Sequence, residues 1–211
     1  MQALEDWNAK FGGNEEFTKS TKKAGFTFDY DKTYKVRIKS AKVTHSTRRD
    51  RQLSLGLSVL NGSDEEVAMT NEWLTLPKQP ETDLQHDPEQ VRKWTFRRRD
   101  DLGRILANVE PGKYALYADV TIEGGKRTYL NREGEVMSKA DLDERQVEIN
   151  KQVMEFADNL HQAVADNEEP DLSDFIGAEF YLVKVENKKS PKYPYTNYYG
   201  DPSPKLPMYE G

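Results

Sequence analysis

The sequence has no cysteine among its 211 residues. This excludes disulfides and thiolate metal sites, and it fits a reducing cytosol. Histidine is scarce too. His45, His86 and His161 lie far apart without ligand neighbours at metal spacing, and they read as ordinary surface or boundary residues. Gly124-Gly125-Lys126 lacks the spacing of a phosphate-binding loop. No nucleophile stands beside an ordered base. No apolar run is long enough for a membrane span, and no signal peptide is apparent. The expectation is a soluble intracellular protein with no membrane association, catalytic residues, metal or cofactor.

An excess of positive charge is also missing, since the formal net charge is −6. Its distribution matters more than the total. Residues 141–174 carry eleven acids and two bases, a net of −9, which leaves +3 on the remainder. The acidic segment reads as a solvated helix face, or as a device that competes with a polyanion for a basic patch. The chain is 36% hydrophobic and 32% charged, and its aromatics suffice to fill one sizeable core.

What is present is organised by strand-like alternation. Residues 1–24 are a lead-in, with Leu4, Trp7 and Phe11 spaced as one stripe of a short helix. In YKVRIKSAKV, Tyr34, Val36 and Ile38 point one way and Lys35, Arg37 and Lys39 the other. The parity then slips to Ala41 and Val43, which predicts a bulge near Ser40. The basic loop HSTRRDR carries Arg48, Arg49 and Arg51. A second strand follows, with Leu53, Leu55, Leu57 and Val59 inward. The small residues Ser54, Gly56 and Ser58 face out, where they leave room for a ligand or for a covering segment of the chain. Asn61-Gly62 predicts a hairpin. The third strand, Val67 to Leu76, puts Val67, Met69 and Trp73 on one face.

Asp87 and Pro88 start a helix anchored by Val91, Trp94 and Phe96. Leu102, Ile105, Leu106 and Val109 form a second helical set, ending at Pro111-Gly112. Arg97, Arg98 and Arg99 fall between the two sets, either as a solvated face or as nucleic-acid contacts. An inserted hairpin is expected around Gly124-Gly125. Ser138 and Asp141 form a capping box that opens a long acidic helix. The final strand pair lies in GAEFYLVKVENKKSPKYPYTNYYG, residues 177–200. Tyr181, Val183 and Val185 share one face, Lys184 and Glu186 the other. The turn carries Lys188, Lys189 and Lys192, and the return carries Tyr193, Tyr195, Tyr198 and Tyr199. Lysines beside flat rings suit unpaired nucleotides, whose phosphates attract cations and whose bases stack on aromatics. The same stretch also suits an edge hairpin, with tyrosines over the core and lysines against aggregation. The tail, 201–211, is proline-rich and reads as extended.

The order is strand, strand, strand, helical region with an insertion, strand, strand. This is the β-β-β-α-β-β order of a five-stranded oligonucleotide-binding (OB) barrel, mainly β with α insertions. The barrel domain is expected over 25–200, with the insertion around 113–170. Its ligand groove would cross strands two and three. The two basic loops, after strand one and between the last two strands, would meet at its rim.

On YKVRIKSAKVTHSTRRDRQLSLGLSVLNG and FIGAEFYLVKVENKKSPKYPYTNYY, about half the chain, the sequence resembles phage-encoded single-stranded DNA-binding proteins of the OB-fold type. The resemblance implies coating of single-stranded DNA during phage replication or recombination, in the cytoplasm of the infected host cell. It implies no chemistry, and partners among phage replication or recombination proteins. Many such proteins end in an acidic tail with a terminal aromatic. Here the end is Pro207-Met208-Tyr209-Glu210-Gly211, a departure from that pattern. The expected nucleic-acid contacts are Lys35, Arg37, Lys39, Arg48, Arg49, Arg51, Lys188, Lys189 and Lys192 for phosphates. Trp73, Tyr193, Tyr195, Tyr198 and Tyr199 are the candidates for stacking, with a core position as the other reading of Trp73. Two alternatives stand beside this one. Pro170-Asp171 followed by Glu186-Asn187-Lys188 has the PD…ExK layout of a metal-dependent nuclease, whose carboxylates hold Mg²⁺. A phage structural or adaptor protein would use the tyrosine hairpin for protein contacts.

Overall fold

A computed structural model describes residues 26–45, 50–78, 87–124, 126–188, 194–200 and 206–210. The lead-in therefore lies outside the described residues, as do Arg48, Arg49, Lys189, Lys192 and Tyr193. The element order is β1 (Tyr34–His45), β2 (Arg51–Leu60), β3 (Glu66–Thr75), α1 (Pro88–Val109), α2 (Pro111–Tyr114), β4 (Asp119–Glu123), β5 (Lys126–Leu130), α3 (Lys139–Ala165), β6 (Glu179–Val185) and β7 (Tyr195–Tyr199). The fold is mainly β. Five strands form one antiparallel sheet in the order β3-β2-β1-β6-β7, and β4 and β5 form a separate hairpin.

β1 organises the sheet. Its alternation buries Tyr34, Val36 and Ile38 completely and turns Lys35 and Arg37 outward. The register shifts between Ile38 and Ser40, after which Ala41 and Val43 pack against the core. The bulge lets one long strand bend while it pairs with β2 on one side and β6 on the other.

The expected closed barrel is not formed. Among the described residues no ladder joins β3 to β7, so the sheet is open along that seam. Side chains occupy the gap, and α1 packs against both edge strands. A second correction concerns β2. Ser54, Gly56 and Ser58 are buried rather than open to a ligand. Longer cross-strand neighbours flank the serines, Lys42 and Trp73 beside Ser54 and Arg37 and Met69 beside Ser58, and cover them.

The β2–β3 hairpin exists, but its turn spans Asn61–Glu65. Asn61 Oδ1 accepts the N–H groups of Ser63 and Glu65, and the positive φ falls on Asp64 rather than Gly62. α1 is one continuous helix, capped by Asp87, with Arg97–Arg99 inside it. Its buried stripe is Val91, Thr95, Leu102, Ile105 and Leu106. Trp94 and Phe96 are exposed rather than part of that stripe, because they sit a helical step away from it. The inserted hairpin turns at Gly124, with φ +57°. α3 opens with the Ser138–Asp141 capping box and buries Ile149, Val153, Ala157 and Leu160. Where α3 crosses α1, Gly103 allows close approach, since a Cβ there would lie 3.3 Å from Val153 Cγ2. Near the C-terminus, Met208 forms a parallel bridge with Thr33, and Tyr209 joins Phe26, Phe28 and Tyr34 in an aromatic cluster.

Ser138→Ala removes the acceptor for the Asp141 N–H and should lower the unfolding free energy by about 1 kcal/mol in a urea titration. An unchanged midpoint would mean that the box contributes nothing.

Candidate functional site

The seam between β3 and β7 holds a buried polar cluster. Strand alternation turns Glu72 inward from β3, Lys184 inward from β6, and Thr196 and Tyr198 inward from β7. Lys184 Nζ donates to Glu72 Oε1 in an ion pair and to Thr196 Oγ1 at 2.8 Å. Thr196 Oγ1 and the Tyr198 hydroxyl donate to Glu72 Oε2 at 3.2 and 3.3 Å. Glu72 is 7% exposed, Lys184 8% and Tyr198 4%. Burial, reinforced by the neighbouring Glu72 carboxylate, pushes the Tyr198 hydroxyl well above its ordinary pKa.

The alternation of β6 is as expected: Tyr181, Val183 and Val185 share one face, and Phe180, Leu182 and Lys184 share the other, which turns inward. Val183 is nevertheless buried, and Val185 is exposed. One expectation is corrected here: Tyr198 belongs to the core, with its ring against Phe180, and does not present a face for stacking.

Above this cluster lies a cavity of about 530 Å³. Alternation turns the neighbours of the inward residues outward, so Trp73 (57% exposed) and Tyr195 (42%) stand at the cavity from opposite edges of the sheet. Trp73 is thus a surface residue. α1 contributes Trp94 (37% exposed), Arg97, Arg98 and Asp101, which are spaced about one turn apart along one face. The Arg97 guanidinium lies 4.6 Å from the centre of the Tyr195 ring. The sequence offers Arg97 and Arg98 as candidate nucleic-acid contacts but reads Trp94 as an anchor of the helix and gives Asp101 no role. The spacing of 94, 97, 98 and 101 was the signal that could have found this helix face.

The described flanks of the two basic loops lie at opposite ends of the β1 ladders. His45 pairs with Arg51 at one end of β1, while Tyr34 pairs with Leu182 near the end that leads into the β6–β7 turn. Curling of the sheet nevertheless brings Pro194 and Tyr195 to the same cavity as Trp73, Leu74 and Thr75. Thr75 in turn pairs with Gln52, next to Arg51. Pro194, which follows the second loop, thus lines the cavity, while Arg51 is one residue from the Gln52–Thr75 pair; residues 46–49 and 189–193 lie outside the described set.

The outward cations of β1 are not gathered there. Lys35 pairs with Asp64 at 2.7 Å and Glu179 at 2.9 Å, Arg37 with Glu179 at 2.6 Å, and Lys39 with Glu66 at 2.8 Å. The hydrogen bonds that Lys35 donates to Asp64 and Glu179 push its pKa up to about 12. The hydrogen bond from Lys39 holds Glu66 below its ordinary value. Burial raises Glu179, but Lys35 and Arg37 outweigh that and leave it lowered. Arg51 donates to the His161 carbonyl oxygen. Lys188 is exposed, and Tyr199 is half-buried opposite Tyr181. Asp171 accepts the Ser173 N–H at 2.9 Å before β6 begins, whereas Glu186 follows its end, so the strand separates the two carboxylates. Among the described residues no group of His, Asp or Glu is arranged to hold a metal ion, and no helix is long and apolar enough to cross a membrane.

No protein-family model matches the chain, and no curated protein matches it in sequence.

Lys184→Met strands the Glu72 carboxylate in the seam and should cost about 3–5 kcal/mol in denaturant unfolding. The double change Glu72→Leu/Lys184→Met should recover much of that loss, and additive costs would contradict the coupling. Glu66 and Glu179 titrate lower folded than unfolded, so their stabilisation is complete above 4.5 and fades as pH falls through the depressed folded values. Glu179→Gln should therefore destabilise at neutral pH, with the gap to wild type narrowing below 4.5. A constant gap across an acid titration of thermal stability would refute this.

Proposed function

We propose that the protein binds single-stranded DNA through the cavity at the β3–β7 seam, with little preference for sequence along most of the strand. One observation carries the reading: three exposed aromatic rings, Trp73, Trp94 and Tyr195, surround one cavity together with Arg97 and Arg98. Rings of this kind stack on any base, and the guanidinium groups attract phosphate. Lys188, exposed after β6, adds a further cation for phosphate. The order β3-β2-β1-β6-β7 supports an OB-type reading, in which the last seam of the barrel is bridged by side chains rather than a ladder. Coating of strands in phage replication or recombination fits this architecture. The protein acts as a binder and not as an enzyme.

The stacking residues differ from those expected of the sequence. Trp73 and Tyr195 remain, Trp94 joins them, and Tyr198 leaves. Arg97 and Arg98 replace Lys35, Arg37 and Lys39, whose charges are met by Glu66, Glu179 and Asp64.

The cavity holds two of the three tryptophans in the sequence, so single-stranded DNA should quench the intrinsic fluorescence. Trp73→Ala and Tyr195→Ala should each weaken binding by about 1–3 kcal/mol. Affinity should fall as salt rises, because neutralised phosphates release counterions. Lys39→Ala should change affinity little. Indifference to both aromatic substitutions would overturn the reading, and indifference to salt would favour an adaptor that binds protein.

A further inference from the structure

The wall of the cavity is acidic at one point. Asp101 lies one helical turn beyond Arg97 and two beyond Trp94, on the cavity side of α1. Arg97 Nε stands 3.9 Å from Asp101 Oδ2, beyond direct hydrogen-bonding distance. Burial raises the Asp101 pKa above the ordinary 3.8, with Arg97 and Arg104 opposing it. At neutral pH this side chain is a partly desolvated carboxylate, able only to accept hydrogen bonds. At the floor, Glu72 directs its oxygens to Lys184, Thr196 and Tyr198.

We propose that Asp101 reads the exocyclic amino group of one base stacked in this cavity, so that cytosine is taken in preference to thymine. The inference rests on the single-stranded DNA reading of the same site. The two pyrimidines have similar rings and differ chiefly at position 4, where cytosine presents an amino donor and thymine a carbonyl acceptor. A carboxylate accepts from the first and repels the second. The N3–H of thymine is flanked by two carbonyls and offers no unopposed approach. The rest of the groove remains indifferent to base identity, because stacking on Trp73, Trp94 and Tyr195 does not distinguish the two rings strongly.

The test is a tryptophan-quenching titration of the full chain with two oligonucleotides of equal length, one of deoxycytidine only and one of deoxythymidine only. Wild type should bind the first about fivefold more tightly, a factor equivalent to ~1 kcal/mol. Asp101→Asn presents an amide donor able to meet the thymine carbonyl, and it should bring the ratio to within about twofold. A thermal melt checks that the variant is folded, and the wild-type ratio stands whether or not it is. Equal affinities in wild type would overturn the inference, as would a ratio that survives in folded Asp101→Asn, while both results would leave the single-stranded DNA reading intact. Failure of wild type to bind either oligonucleotide would overturn that reading itself, and the inference with it.

Discussion

The ion pair between Glu72 and Lys184 is the constraint on which the rest of the structure depends. It replaces backbone hydrogen bonds where β3 and β7 would have to meet to complete a barrel. Two charges in a buried place are costly unless each is fully paired, and here Thr196 and Tyr198 supply the remaining partners. Because side chains in a strand alternate, fixing Glu72 inward fixes Trp73 outward, and fixing Thr196 inward fixes Tyr195 outward. The interior charge pair thus sets the positions of two exposed rings one residue away. A fully hydrogen-bonded seam would draw the two edges together and leave no such cavity. The bridge of side chains holds them apart, and α1 lies across the opening with its own ring and guanidinium groups.

The charges outside the seam divide in two. On β1, lysine and arginine alternate outward and face acids from β6 and the β2–β3 hairpin, so they hold the sheet together rather than attract a polyanion. On α1, Arg97 and Arg98 lie over aromatic rings at the cavity. A guanidinium over a ring keeps hydrogen-bond donors free at its edge for phosphate. The long acidic helix α3 packs on α1 through Val153 and Gly103. A net negative chain can therefore present positive charge locally, and the total of −6 says little about the cavity.

Much of the sheet was legible in the sequence. The alternation of β1, its parity slip near Ser40 and the capping box at Ser138 each have a local cause that residue types disclose. Fold order followed from these. The errors arose where a tertiary partner overrides the usual preference of a side chain. Lysine is rarely buried, so the sequence does not show that the Lys184 face turns inward, and nothing near it announces Glu72, 112 residues away. Tyr198 looked like a stacking ring because its burial depends on the same remote cluster. Trp94 looked like an anchor because tryptophan on an amphipathic helix usually is one, whereas Thr95 takes the inward position. Whether a barrel closes is likewise a property of two distant edges and is written in neither.

The central claim is that the seam, and not the outer face of β1, is where a polynucleotide lies. Photocrosslinking to a single-stranded oligonucleotide carrying 5-iodouracil, with the adducts mapped by mass spectrometry, addresses it directly. Adducts on Trp73, Trp94 or Tyr195 are the predicted result. Adducts confined to residues away from the seam, with these three rings unmodified, would contradict it.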